Sequence, residues 1–450
     1  MRTTVLAALL AFCCLAVSRT QTLPQDSGAS GAWQKIQKVR TTASVLHGTA
    51  HPDDENGGVL AKLSRKDGAR VVLMTLTRGE SGDNAVGPQL FEGLALIRTD
   101  ELGMAGKYYG LDQQYFSTMI DYGFSKRLDE TTDKWGFQNA MRDVVRIMRM
   151  ERPWVVISRF QGNSRDGHGN HQAAGLLSQQ ASEAAGSTTA FPEQLAEGLR
   201  PWTPFKVYMG GVQAAEKWNL QVDTGEYSPW LGDSYANIAS MGLAFQRSQN
   251  SGRFVPGAGP SYAYYTRTAA RVTAPDKESS FFDGIDTTYA GLFKQLGRSA
   301  PAGTDATLAS IDAAAAKAAA SFTLADPSKA VPALADGLKA VRDVIAKSAS
   351  EPDALHVLKI KEQQFQDAIN AAAGMELSAA AQPSTTPPAA GGRGGRGGGF
   401  GAAAMTAPVP GQSFGVAVRL NNRGSADARM SEGAIQLRTA PGWKIGRAHV

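Results

Sequence analysis

Between residues 45 and 160, short apolar runs alternate with stretches of helical spacing. "SVLHGTA" (Ser44 to Ala50), "RVVLMTLT" (Arg70 to Thr77) and "WVVISRF" (Trp154 to Phe160) are continuous apolar runs, as in strands buried on both faces. "GGVLAKLSRKDG" separates the first two. A longer stretch precedes the third, in which Phe137, Met141, Val144, Val145 and Met148 recur at i, i+4, i+7, i+8 and i+11, one face of a helix. Buried runs separated by helices predict an α/β, Rossmann-like fold with a mostly parallel sheet covered by helices on both faces. "FKVYMGG" and "YAYYTRTA" predict further strands and "SYANIASMGLAFQRSQ" a further helix, so one α/β domain is expected over residues 34–300.

Beyond that the pattern changes twice. Residues 304–379 turn to Ala, Lys and Asp at helical spacing ("IDAAAAKAAASF", "LHVLKIKEQQFQDAINAAA") and predict a helical segment. Residues 382–412 are a Pro/Gly linker, whose two Arg-Gly-Gly triplets are read as a solubilising tether rather than an RNA-binding element. In 413–450, "SFGVAVRLNN" alternates with period two and "GAIQLRTAPGWKI" follows, predicting the start of a β-sandwich-like domain. Two strands bury no core. The last six residues, "IGRAHV", are also what the sequencing adapter ATCGGAAGAGCACACGTC encodes, so this β-rich domain is expected to be cut short.

Composition narrows the chemistry. Of 450 residues, 42% are hydrophobic, enough for a sizeable core. "MRTTVLAALLAFCCLAVS" has a basic start, a short apolar core and a small-residue ending, so residues 1–18 are expected to be a signal peptide and the protein secreted or periplasmic. Lipoprotein anchoring is disfavoured by the bulky Phe12 before Cys13 and Cys14. Both cysteines lie in that leader, which leaves His and carboxylates to hold any metal. No later run approaches the roughly 18 apolar residues of a membrane span. The net charge of +5 is spread without a basic block, so no nucleic-acid partner is expected.

The candidate chemistry sits in "AHPDDENGG", Ala50 to Gly58, just past the first predicted strand. Adjacent carboxylates repel unless a cation or proton shares them. Past a strand's carboxyl end is where open α/β sheets place ligands. A second cluster, "RDGHGNH" (Arg165 to His171), follows "WVVISRF" through a short glycine-containing loop. His51 and Asp54 can face one ion, and His171 supplies the third ligand a catalytic zinc requires. A helix cap would explain each acid singly, but not His51 or the second His-rich loop. His47 and His356, isolated in apolar or helical surroundings, are given no role.

These pieces resemble the LmbE/PIG-L-like zinc deacetylases: "AHPDDE", "TLTRGESG", "RTDELGMAG", "MIDYG" and "DGHGNHQAAG", covering residues 43 to 180, while "FFDGIDTTYAGL" resembles a segment of larger secreted members. The resemblance implies that His51, Asp54 and His171 bind Zn2+. It makes Asp53 the general base, and His168 the group that steadies the oxyanion or protonates the leaving amine. Arg98 and Asp121 match substrate-contacting positions. Where many members carry Asp before the final histidine, this chain has Asn170. The expected activity is hydrolysis of an acetamide on an N-acetylglucosamine-type small molecule or glycan, giving acetate and a free amine. Another amide such as a thiol-sugar conjugate, a catalytically silent carbohydrate-binding protein and a Mg2+ phosphoesterase are the rival expectations.

Overall fold

The computed structural model describes residues 23–251, 255–383, 411 and 413–426. The leader, nearly all of the linker and "GAIQLRTAPGWKI" lie outside the described residues. Helix α1 (Gly28–Val39) leads into β1 (Ser44–Thr49), α2 (Gly57–Arg65), β2 (Arg70–Thr75), α3 (Glu92–Tyr109) and β3 (Gln113–Phe116). After α4 (Leu128–Trp135) and α5 (Phe137–Glu151) come β4 (Val155–Ser158), α6 (Gly169–Ala184), β5 (Lys206–Val212), β6 (Leu220–Asp223), α7 (Tyr235–Leu243) and β7 (Tyr262–Ala270).

These strands form one seven-stranded sheet in the order β3-β2-β1-β4-β5-β7-β6 among the described residues. β1 to β5 run parallel, with Val45 paired to Val71 on one side and Val155 on the other, while β7 is antiparallel to both its neighbours. The expected mostly parallel sheet is therefore present. Alternate residues serve opposite layers. Val45, Val71, Leu73, Val155 and Ile157 join one apolar core beneath α1 and α2, and Leu46, Val72, Met74 and Val156 join the other beneath α5 and α6. Burial on both faces is what continuous apolar strands require. The α5 face read from the sequence delivers Met141, Val144, Val145 and Met148 to the second core.

Residues from 304 onward form α8 (Asp305–Ser321), α9 (Val331–Lys347) and α10 (Pro352–Ala372). They share the first core rather than building their own: Ile311, Leu334, Val344, Leu358 and Phe365 cluster with Ile36, Val39 and Tyr289. The helical reading to Ala379 runs too far. The last helix ends at Ala372, and β8 (Met375–Pro383) pairs antiparallel with β9 (Phe414–Asn422), the strand predicted from the period-two alternation. Gly374, at φ 68°, makes the turn against Gly424, and the cross-strand ladder decides the state of an alanine-rich stretch whose own preference is weak.

Strand order reverses at β1, whose successors β2 and β4 flank it on opposite sides. The crevice beyond the carboxyl ends of β1 and β4 is the switch point at which such sheets bind ligands.

Candidate active site

Two loops meet at that crevice. Asn56, rather than any of the preceding acids, caps α2 by accepting the Val59 N–H at 3.3 Å, so the acids are free for other work. Arg159, one residue past β4, donates to the Asp54 carbonyl at 2.6 Å and ties the β1 loop to the β4 end. α6 begins directly at the site, and a Cβ on Gly48 would strike Ser178, so only glycine in β1 lets that helix come this close.

The Asp54 carboxylate, through its two oxygens, His51 and His171 form a triangle of ligand groups. His51 Nδ1 lies 3.2 Å from His171 Nε2 and 3.4 Å from Asp54 Oδ2, and His171 Nε2 lies 3.3 Å from Asp54 Oδ1. Ligands about 2.0–2.1 Å from a tetrahedral ion stand roughly 3.3 Å from one another. At His171 the protonation pattern also fits. His171 Nδ1 faces the Asp166 carbonyl at 3.3 Å, which can only accept, so the proton sits there and Nε2 keeps its lone pair. Phe160 stacks on the His171 ring at 4.2 Å and 9°. Asp54 Oδ2 is anchored by the N–H groups of His51 (2.6 Å) and Ala50 (3.2 Å), leaving Oδ1 toward His171. Burial pushes the Asp54 carboxyl up, but His171 and His51 outweigh it and hold it well below the usual range; burial in turn pulls His171 down, and Asp54 outweighs that and raises it. These residues fit a zinc ion.

Asp53 stands outside the triangle at φ 91°, an unusual backbone for a residue with a side chain. Burial, with the carboxylates of Asp54 and Glu55 adding to it, raises its carboxyl to about 7. His168, immediately before α6, caps the helix: its Nδ1 accepts the Asn170 N–H at 3.2 Å. That fixes the neutral tautomer with the proton on Nε2. Burial, and after it His51 and His171, lower its pKa to about 4. The three histidines offer ligand atoms within 4.8 Å of one another, and Phe124 lies against His168 at 4.9 Å between ring centres.

Arg98 and Asp121, expected at substrate-contacting positions, are both buried among protein partners. Arg98 is 4% exposed and donates to Gly79 O (2.7 Å), Asp83 O (2.8 Å) and Ser248 Oγ (3.3 Å). A Cβ on Gly79 or Gly82 would collide with its guanidinium, so it braces the loop after β2. Asp121 is buried behind His51, with Oδ1 3.9 Å from Nε2, and accepts from Gly123 N (3.0 Å) and Asn170 Nδ2 (3.1 Å). Asn170 thus links Asp121, His51 (3.1 Å) and Thr131 (3.2 Å). The sequence reading passed over Glu80, which holds the Asp121 N–H at 3.0 Å, and Gln246, Ser248 and Ser251 after α7. Gln246 and Ser251 lie 191 and 198 residues from the motif residues they reach, and Ser248 lies 150 from Arg98, so none carried a local signal. His47 and His356 are buried, held neutral by burial first, to about 3 and about 4, and face backbone groups of Asn56 and Glu151.

A family model described as "PIG-L: GlcNAc-PI de-N-acetylase" matches residues 46–182. The 1D-myo-inositol 2-acetamido-2-deoxy-alpha-D-glucopyranoside deacetylase of Streptomyces scabiei is 32% identical over 207 residues, 42% of this chain and 61% of that enzyme; the chain thus spans less than two thirds of that relative's length. A protein of the same name from Catenulispora acidiphila is 25% identical over 298 residues, 54% of this chain and 97% of the relative. Among solved structures, N,N'-diacetylchitobiose deacetylase from Pyrococcus horikoshii is similar at 20% identity and TM-score 0.35, covering 46% of this chain and 70% of that one. GalB, the 4-carboxy-2-hydroxymuconate hydratase of Pseudomonas putida, is similar at 18% identity and TM-score 0.37, covering 52% and 99%. The chain therefore carries, over residues 46–182, a domain of the PIG-L family, the LmbE-like group that its two motifs resemble.

Proposed function

We propose that this protein is a zinc-dependent N-deacetylase that hydrolyses the acetamide of an N-acetylglucosamine-type substrate to acetate and a free amine. The observation that carries the reading is the 3.2–3.4 Å triangle of His51, Asp54 and His171 with Asp53 and His168 beside it. The names of the inositol-linked relatives support the substrate class.

His51, Asp54 and His171 would hold Zn2+, which when bound would supply a Lewis acid for the amide carbonyl and a means of ionising water near neutral pH. Asp53 takes the proton of the attacking water. A base with a pKa near the working pH combines the ionised form with enough driving force for transfer. His168 stays neutral and donates from Nε2 to the oxygen that gains charge as the carbonyl carbon becomes tetrahedral. Asp53, once protonated, is the proton source within the site for the departing amine. Asp121 and Asn170 keep His51 oriented.

The leader-like first 18 residues support a secreted or periplasmic location. No helix among the described residues is long and apolar enough to cross a membrane.

The test is acetate release from a panel of N-acetylglucosaminides by zinc-loaded protein beside Asp53→Asn. Acetate from wild type alone supports the activity and the base together. No acetate from either, with zinc bound, rejects the substrate class.

A further inference from the structure

Glu55 is the third acid of the motif, and the zinc chemistry gives it nothing to do. It is 7% exposed, and it is neither a ligand nor a helix cap. Its carboxylate is nevertheless aimed. Oε2 accepts the backbone N–H of Asp53 at 3.0 Å, while Oε1 accepts Tyr109 OH at 2.9 Å and Gln246 Nε2 at 2.6 Å. The residue whose N–H it holds has φ 91°. A backbone in that region persists only where its surroundings hold it there.

The supports come from far apart in the chain. Tyr109 ends α3, and a Cβ on Gly57 would collide with its ring, so the ring packs against the start of α2. Gln246 is fully buried and accepts Gln249 Nε2 at 3.1 Å in its turn. Its segment is pinned to α3: Glu101 accepts both the Ser248 N–H (2.9 Å) and Oγ (2.6 Å), and Arg98 donates to the same hydroxyl. Residues 246–251 lie beyond the 46–182 span of the family match.

We infer that Glu55 is a positioning residue: anchored by Tyr109 and Gln246, it locks the Asp53 backbone in its left-handed conformation and so presents the Asp53 carboxylate to the attacking water. This rests on Asp53 being the base. A glutamine at 55 keeps the size but offers one acceptor where two donor groups, the Asp53 N–H and the Tyr109/Gln246 pair, need one each. Misplacing a reacting group by about 1 Å costs on the order of a hundredfold.

The experiment is a double-mutant cycle on the zinc-loaded full chain with Glu55→Gln, Asp53→Asn and the pair, reading kcat, KM and zinc content, beside hydrogen exchange at the Asp53 amide. Expected are a kcat loss of about tenfold to a hundredfold for Glu55→Gln with KM and zinc within about twofold of wild type. The Asp53 amide exchanges faster, and Glu55→Gln causes no further loss in the Asp53→Asn background. Gln246→Ala, a milder change, follows the same pattern at about threefold to tenfold, and serves if Glu55→Gln does not fold. Additive losses, or a loss confined to KM or zinc content, overturn the positioning role and leave Asp53 as base. An Asp53→Asn protein with undiminished kcat overturns the base assignment itself and this inference with it.

Discussion

Two groups of buried ionisable residues lie at different places on the same sheet. At the carboxyl ends of β1 and β4, His51 Nδ1, His171 Nε2 and the Asp54 carboxylate converge to within 3.2–3.4 Å of one another. Beneath α10, Lys38, Lys361 and Asp112 are buried as deeply, yet every charge is answered. Lys38 donates to Asp112 (2.6 Å) and Ala69 O (2.7 Å), Lys361 to Lys38 O (2.9 Å) and Gln364 (2.7 Å), and Asp112 also accepts Val71 N (2.8 Å). Burial alone does not mark a site. What marks it is two imidazoles and a carboxylate converging on one point, a ligand set that a single cation can bridge.

The sharpest break in that comparison is His171→Ala. It should empty the zinc site and lower acetate release by about 10³-fold or more, while thermal unfolding shows a folded protein. Metal analysis and acetate assay read both, and a zinc-replete, active variant would remove His171 from the ligand set. Next is the acid limb of kcat/KM. Asp53 must be ionised, and burial with Asp54 and Glu55 places it at about 7; a bound cation can only lower it. The rate should therefore fall about tenfold per pH unit below an apparent pKa of at most 7, and Asp53→Asn should abolish that limb together with about 10²–10⁴ of the rate. A limb centred well above pH 7 would assign it to another group.

Smaller is the effect of Asp121→Asn, which removes the carboxylate behind His51 but no ligand. Zinc affinity should weaken about 10- to 100-fold in a competitive chelator titration, with kcat recovered at saturating zinc. Smallest for catalysis is Lys361→Met, in the answered cluster, where kcat should not change. The effect there is on stability. Burial lowers Lys361 from 10.5 to about 7, so between those values the unfolded chain holds a proton that the folded one lacks, and stability rises with pH across that window. Denaturant midpoints at pH 7 and pH 10 should show wild type gaining about 3 kcal/mol relative to the methionine variant. Parallel curves would mean that Lys361 stays charged when folded.

Within the described residues, the sequence by itself determined the sheet layers and the location of the chemistry. Val45, Val71 and Val155 lie in runs too continuous for a one-sided strand, and the face from Met141 to Met148 has no stable use except against a core. His51, Asp53, Asp54, His168 and His171 were legible as candidates because their clusters lie in the loops after strands that a parallel sheet must align. Both are local patterns: periodicity carries the first and the two motifs the second, with the roles of Asp53 and His168 supplied by the family resemblance.

Only the tertiary structure decided what the remaining charged residues do. Nothing within several residues of Arg98 reveals that it braces the loop after β2; that lies in Gly79, Asp83 and Ser248. Glu55 has its meaning through Gln246, 191 positions away, and Asp121 through its place behind His51. The strand at Met375–Pro383 exists because Phe414–Asn422 pairs with it. A side chain's role depends on which donors and acceptors reach it, and for long-range partners that information exists only after the chain has folded.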